Sequence, residues 1–98
     1  MVLTILEAAV MPDRASELEA AFRAAAAKTP PGLVRSLLVH SASDATRWRI
    51  ETLWTSREAL TAMRQAGTPA GVLMFRAAGA EPTLSIYEVV ATIEGSGS

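Results

Sequence analysis

An isolated acidic side chain stands in the most apolar stretch of this chain. Residues 2–10 are apolar except for Thr4 and Glu7, and Glu7 is the only one of them that can ionise. A carboxylate in such a strand is costly to ionise unless it is paired, and burial makes it a stronger base toward an acidic hydroxyl. An ion pair with Arg35 or Arg49 is the structural alternative. Glu7 is the residue to which we assign candidate catalytic chemistry.

Two tryptophans lie close together and share an alternating pattern. Trp48 and Trp54 fall on the same face of an extended segment, together with Ile50 and Thr52. Two indoles on one face can form a flat wall for an aromatic substrate, or they can pack beneath a helix. Tyr87, in the last apolar segment, can hydrogen-bond a substrate oxygen or have only a structural role in the sheet. The three large aromatic side chains are therefore candidate substrate-binding residues.

Adaptable apolar side chains follow in segments with helical spacing. Met63 and Phe75 can line a pocket for a flat ligand or fill an ordinary core, and the same holds for Val72 and Met74. We take Met63 and Phe75 as further substrate-binding candidates. The one histidine, His40, lies near a strand end, where we expect contact with solvent or an interface rather than catalysis.

The composition excludes several kinds of chemistry. The 98 residues include no cysteine and a single histidine, which excludes thiol catalysis, thiolate metal sites and multi-histidine metal sites within one chain. Because no phosphate loop, nucleophile elbow or metal-ligand spacing occurs, we expect no metal and no cofactor. With 9 basic and 10 acidic side chains, we expect no nucleic-acid or membrane partner. We expect a soluble, cytoplasmic protein, because the apolar start is shorter than the roughly 20 residues of a membrane span.

Alternation and turn residues divide the chain into predicted elements. In order, these are strand 2–10, helix 14–28, strand 33–41, strand 47–54, helix 57–65, a short helical turn 70–78 and strand 83–93. Ser16 and Glu19 have capping-box spacing at the start of the first helix, and Ser56 suits the N-cap of the second. We expect one domain over residues 1–94 and a flexible Gly/Ser tail at 95–98.

This order of elements predicts a ferredoxin-like βαββαβ sandwich of the α+β class. One antiparallel sheet is covered by helices on one face. Because the first and last strands are apolar on both faces, the uncovered face stays apolar in part, and a monomer would expose it to water. We therefore expect a homodimer in which two sheets pack face to face into an α/β barrel.

The junction of the third strand and the second helix resembles a known family. The segment Trp54-Thr55-Ser56-Arg57-Glu58-Ala59-Leu60 is similar to the Trp-x-Ser-x-Glu-Ala-Leu segment of the antibiotic biosynthesis monooxygenase domain. Pro30-Pro31-Gly32 before the second strand and Ile86-Tyr87-Glu88-Val89 in the last strand also resemble that family. The resemblance covers roughly residues 2–93. It implies a dimeric α/β barrel with a pocket in each subunit between sheet and helices.

The resemblance also implies an activity. Some members oxidise polycyclic aromatic phenols or quinols with oxygen and no cofactor, whereas others degrade haem. Haem-degrading relatives carry an asparagine on the first strand, where we place Glu7, and a histidine iron ligand in or after the second helix, whereas no histidine follows His40 here. Many other members have a histidine one turn into that helix, where this chain has Met63.

Two functions follow from this reading. The first is a cofactor-independent monooxygenase that oxidises a small aromatic phenol or quinol with molecular oxygen in an apolar pocket. The alternative is a non-catalytic dimeric module that binds a hydrophobic small molecule or a protein partner.

Overall fold

Four strands and three helices occur in the order that the sequence predicts. The computed structural model describes residues 1–96. The strands are β1 (Val2–Ala9), β2 (Leu33–His40), β3 (Arg47–Trp54) and β4 (Thr83–Glu88), and the helices are α1 (Ala15–Ala24), α2 (Arg57–Gln65) and α3 (Ala70–Ala77). Short 3-10 turns precede and follow α1. None of these helices in the described part of the chain is long and apolar enough to cross a membrane.

The strands form one antiparallel sheet in the order β2-β3-β1-β4. This is the strand order of a ferredoxin-like sandwich, so the predicted α+β class and topology are confirmed. The two central strands, β1 and β3, are joined over their whole lengths, from Val2 opposite Trp54 to Ala9 opposite Arg47. Their register decides which side chains of the two strands share a face.

The even-numbered positions of the two central strands face the helices. Thr4 pairs with Thr52, Leu6 pairs with Ile50, and Trp54 from the same face is buried. The predicted shared face of β3 is thereby confirmed, and it is the covered face. The odd-numbered positions of both strands lie on the face that no helix of this chain covers.

The two predicted helix caps have different outcomes. Ser56 caps α2, since its side chain accepts a hydrogen bond from the backbone N–H of Ala59 at 3.1 Å. The capping box predicted from Ser16 is wrong, because α1 already begins at Ala15, with Arg14 in the N-cap position. The 3-10 turn that starts at Pro12 winds the chain before Ser16 is reached.

The last strand is shorter than predicted. It ends at Glu88 rather than at residue 93, and Glu88 pairs with Val2, the first residue of β1. One further hydrogen bond joins the N–H of Val89 to the carbonyl of Met1. Val90 and Ile93 are almost fully exposed. Of the predicted Gly/Ser tail, residues 97 and 98 lie outside the described residues.

The buried side chains form two separate apolar clusters on the covered face of the sheet. The larger cluster centres on Phe75 and Leu18, both fully buried, and includes Trp48. The smaller cluster holds Trp54 with Leu60 at the other end of the sheet. The space between the two clusters is not filled by side chains, and it holds the candidate site.

Candidate functional site

A pocket of about 580 Å³ lies between the covered face of the sheet and the helices. It occupies the gap between the two apolar clusters, with Ile50 of the larger one and Trp54 of the smaller one in its wall. Most of the other lining residues are small or apolar: they include Leu6, Phe22, Ala25, Ala26, Leu33, Met63, Ala66, Gly67, Ala70, Gly71 and Met74. This site has the size and apolar character of a small-molecule pocket.

Two hydroxyl groups from neighbouring strands meet at the sheet side of the pocket. Ser36 of β2 pairs with Thr52 of β3, and their side-chain oxygens lie 2.9 Å apart. Whichever hydroxyl donates, the other keeps a hydrogen that makes no bond within the described part of the chain. The pair can therefore donate one hydrogen bond to a ligand oxygen on the sheet side of the pocket, which Thr29 and Thr68 line elsewhere.

The indole of Trp54 is fixed by a hydrogen bond behind the pocket wall. Its Nε1 donates to Oγ1 of Thr4 at 3.1 Å, and Thr4 in turn donates to the backbone carbonyl of Thr52 at 3.4 Å. Both threonines are buried. This role of Thr4 is not predicted from the sequence. The available signal is that Thr4 interrupts an apolar strand at an even-numbered position, on the same face as Val2, which pairs with Trp54.

Methionines from two helices line the pocket. The sequence predicts this for Met63 of α2, and Met63 does line the pocket, as does Met74 of α3. Phe75, predicted as a substrate-binding residue, does not line this pocket, since it is 0% exposed and packs in the larger apolar cluster. Successive residues of a helix point about 100° apart, so Phe75 can face the larger cluster while its neighbour Met74 lines the pocket.

The structure places Glu7 on the other face of the sheet. Its carboxylate accepts a hydrogen bond from Nε of Arg49 at 2.9 Å and lies 3.7 Å from Arg47. This is the predicted ion-pair alternative, made with Arg49 rather than Arg35. We assigned candidate catalytic chemistry to Glu7, but it does not line the pocket, because its odd-numbered position in β1 points away from the helices. The residue of β1 that lines the pocket is Leu6.

Tyr87 and Trp48 also lie away from the pocket. Tyr87 pairs with Leu3 on the uncovered face, where it is 55% exposed. Trp48 is buried at the far end of the larger cluster, and its Nε1 has no hydrogen-bond partner among residues 1–96. Of the predicted site residues, the structure thus brings together only Trp54 and Met63.

A second, more polar groove of about 800 Å³ runs between α1 and the edge strand β2. Trp48 and His40 line it, and their rings meet edge to face with centroids 5.0 Å apart. His40 is exposed, in agreement with the expected solvent contact, and its Nδ1 lies 3.1 Å from the carbonyl of Ser41. The groove shares Phe22, Ala26 and Ser36 with the pocket.

No cluster of three or more histidine, aspartate or glutamate side chains occurs in residues 1–96. A metal held by such a set therefore has no site in the described part of the chain. The chemistry available in the pocket comes from its shape, its hydroxyl pair and its single charged residue, Lys28.

The sequence matches one family model. Residues 1–68 match the model described as antibiotic biosynthesis monooxygenase. That range includes β1 to α2, and therefore Trp54, Met63 and the hydroxyl pair. No curated protein sequence matches the chain.

Solved structures share the fold over nearly the whole chain. A cofactor-independent oxygenase, SnoaB from Streptomyces nogalater, is 20% identical with a TM-score of 0.70, covering 96% of this chain and 97% of its own. A candidate antibiotic biosynthesis monooxygenase from Deinococcus radiodurans is 16% identical with a TM-score of 0.74, covering 99% and 100%. The heme-degrader MhuD from Mycobacterium tuberculosis, with two hemes bound, is 25% identical with a TM-score of 0.69, covering 96% and 100%. At 20% and 16% identity, the first two establish the fold alone.

Proposed function

The chain belongs to the antibiotic biosynthesis monooxygenase family, and we propose that it is a cofactor-independent monooxygenase that oxidises a small aromatic phenol or quinol with molecular oxygen. The observation that carries the proposal is the apolar pocket with one pair of hydroxyl groups, Ser36 and Thr52, on its sheet side. An aromatic ring fits the apolar walls, and its hydroxyl fits the pair. The oxygenase SnoaB, with the same fold, supports this reading.

In such a reaction the substrate supplies the electrons. One ring C–H bond and the phenolic O–H bond are broken. The ring carbon gains one atom of O₂ as a new C=O, the phenolic oxygen becomes the second C=O, and the other atom of O₂ leaves as water with the two hydrogens. The substrate loses four electrons in becoming a quinone, and these reduce both atoms of O₂, so no other reductant is needed. The protein needs only to orient the ring, favour its electron-rich anion and exclude water.

The pocket residues suit those tasks. The Ser36–Thr52 pair holds the substrate oxygen, and the flat indole of Trp54 supports the ring, since its hydrogen bond to Thr4 keeps it in place. Met63, which packs against the cluster that contains Trp54, adapts the neighbouring wall to the ring's outline. Glu7 has no part in this arrangement, because its carboxylate lies beyond the sheet.

Haem does not fit this pocket. The relative MhuD binds haem, but haem iron in proteins is held by histidine, cysteine thiolate, tyrosine, or methionine together with histidine. The pocket lining contains none of the first three, and only the thioethers of Met63 and Met74 could approach an iron. No step of the proposed reaction therefore involves haem.

A second copy of the chain is the partner that we propose. The uncovered face and edges expose apolar side chains at positions such as Leu37, Val39 and Tyr87. A homodimer with the two uncovered faces packed together would remove this surface from water. We infer that residues 1–94 act as one domain within it, because β4 completes the sheet beside β1.

One observation favours the alternative function. No imidazole or carboxylate lines the pocket, so the described residues around it include no ordinary general base. A non-catalytic module that binds a hydrophobic small molecule would need only the apolar walls and the hydroxyl pair. The two functions differ in whether oxygen is consumed.

Oxygen uptake with a panel of anthrones and naphthols tests the proposal. We expect uptake above the rate in buffer, with the quinone and water as products. Thr52→Val should lower kcat/KM by about fivefold to tenfold, the loss of roughly one hydrogen bond, whereas Thr52→Ser keeps the hydroxyl and most of the activity. Binding of the same compounds without oxygen uptake would overturn the monooxygenase and leave the binding module. Equal activity of the two variants would remove the role of the hydroxyl pair.

A further inference from the structure

We propose that the ligand of this pocket is an aromatic molecule with an anionic substituent, such as a carboxylate, which Lys28 binds at the mouth. The inference rests on the proposed pocket and adds the substrate class. Lys28 is the only lysine of the chain and the only charged residue among those that line the pocket. Every other lining residue is apolar, small or a neutral hydroxyl residue.

The ammonium group of Lys28 has no acidic partner. No carboxylate lies within 4.0 Å of it in the described part of the chain. Other basic side chains do form ion pairs there, as Arg14 does with Glu17 and Arg76 with Glu81. The 3-10 turn Ala25–Ala27 ends at Lys28, where the backbone becomes extended. The lysine therefore lies at the end of the helical segment, between Ala26 and Thr29, which also line the pocket.

The pocket thus offers two different polar contacts to one ligand. The hydroxyl pair lies on strands β2 and β3 on the sheet side, whereas Lys28 lies at the end of the helical segment that follows α1. Apart from Thr29 and Thr68, the other lining residues are apolar or small. A ligand that uses both must carry a hydroxyl or carbonyl oxygen and, across a flat apolar body, an anion. The attraction is that of an exposed ion pair, so it is modest and weakens with salt.

A purely structural role for Lys28 makes a different prediction. A cation near the end of a helix interacts favourably with the last carbonyl groups. Lys28 lies at such an end, since its backbone N–H donates a hydrogen bond to the backbone carbonyl of Ala25 at 3.3 Å. In that case, removing the charge lowers the stability of the protein. It does not change which ligand the pocket prefers.

Two dyes with the same aromatic body separate these roles. The probes are 8-anilinonaphthalene-1-sulfonate, which is anionic, and N-phenyl-1-naphthylamine, which lacks the sulfonate. Each is titrated into wild type, Lys28→Gln and Lys28→Arg. The matched control is Arg64→Gln, which removes the same charge from the last turn of α2, outside both the pocket and the groove. Gly71→Val places a side chain toward Leu6 and serves as the blocked pocket.

We expect Lys28→Gln to lower the affinity for the anionic dye by about three- to fivefold and to leave the affinity for the neutral dye within about twofold of wild type. Lys28→Arg and Arg64→Gln should bind both dyes like wild type, each dye should compete with the other, and Gly71→Val should weaken both. Salt should reduce the difference between wild type and Lys28→Gln.

Three results would overturn the proposal. Equal losses in Lys28→Gln and Arg64→Gln would indicate net charge alone, and a lower melting temperature with an unchanged ratio of the two affinities would indicate the helix-end role. Failure of both dyes to bind wild type would remove the pocket itself, and with it the proposed function. In the first two cases the neutral dye still binds, so the proposed function survives.

Discussion

Glu7 accepts a hydrogen bond from Nε of Arg49 at 2.9 Å, across the two central strands and on the sheet face that the helices leave uncovered. The same carboxylate lies 3.7 Å from Arg47, and Arg49 also lies 3.8 Å from Glu51, so two acidic and two basic groups form one cluster. This group of charges lies on the surface that we propose to be buried between two copies of the chain. In a buried interface, losing Glu7 would leave two arginines with only Glu51 as an acidic partner, and such incompletely paired buried charge destabilises an assembly.

Glu7→Gln is therefore expected to weaken the dimer and to leave the pocket unchanged. Sedimentation equilibrium should show dissociation at several-fold higher protein concentration, while dye affinity and oxygen uptake stay within about twofold of wild type. Glu81→Gln, which breaks an ion pair away from that face, is the control. Loss of oxygen uptake from a dimer that still forms would show that Glu7 does reach the substrate.

The two tryptophans provide a matched pair of substitutions. Both are buried, but Nε1 of Trp54 donates to Thr4, whereas Nε1 of Trp48 has no partner in the described residues. Trp54→Phe loses a hydrogen bond and Trp48→Phe removes an unpaired buried donor. We expect Trp54→Phe to cost about 1 kcal/mol more free energy of unfolding than Trp48→Phe, measured by urea denaturation. Equal costs would mean that the bond to Thr4 contributes nothing.

Gly71 of α3 sets the width of the pocket. A Cβ at this position would lie 2.7 Å from Cδ1 of Leu6, at the flexible end of that side chain. Gly71→Ala is expected to push the side chain of Leu6 into the pocket and to lower the affinity for large ligands more than the affinity for small ones. Helix propensity favours the substitution by up to about 1 kcal/mol, so stability should not fall with affinity.

The double variant Leu6→Ala with Gly71→Ala is the control for this displacement. Removing the leucine side chain makes room for the new methyl group, so the affinity for large ligands should recover. Calorimetric titration of one- and three-ring aromatic phenols measures the size dependence. An equal loss for both ligands would contradict a change of pocket width.

A hydrogen-bonded loop before β3 makes a small contribution to stability that depends on pH. Oδ1 of Asp44 accepts bonds from the hydroxyl of Thr46 at 2.6 Å and from its N–H at 3.0 Å, and these lower the pKa of Asp44, the hydroxyl bond most. Because the pKa of Asp44 is lower in the folded state, its stabilising effect is complete when the pH is above the pKa of an unfolded aspartate, about 3.9. The effect is lost as the pH falls through the pKa of Asp44 in the folded state.

Thr46→Val should therefore raise the pKa of Asp44 and destabilise the protein near neutral pH, and this difference should shrink in acid. Thr46→Ser keeps the hydroxyl and should behave like wild type. Thermal denaturation between about pH 2 and 7, with NMR titration of the Asp44 carboxyl group, measures both effects. A stability difference that is constant over that range would show that the charge of Asp44 is not involved.

Much of the fold follows from local patterns in the sequence. The alternation in β3 predicts that Trp48 and Trp54 share a face, and Ser56 predicts the start of α2; both are confirmed. The order of strands and helices then leaves few ways to form one sheet, because crossover connections have a preferred hand. The family resemblance at residues 54–60 rests on the same local segment.

Tertiary structure decided which face of the sheet is covered, and with it the site. β1 is apolar on both faces, so its alternation shows which residues share a face. It does not show whether the helices cover the face that carries Leu6 or the face that carries Glu7. Only pairing with β3 and packing of the helices put Leu6 in the pocket and Glu7 outside it. Ser36 and Thr52 lie sixteen positions apart, and only the register between β2 and β3 brings their hydroxyls together. Local sequence determines the elements, whereas contacts between distant residues determine the chemistry that the pocket can offer.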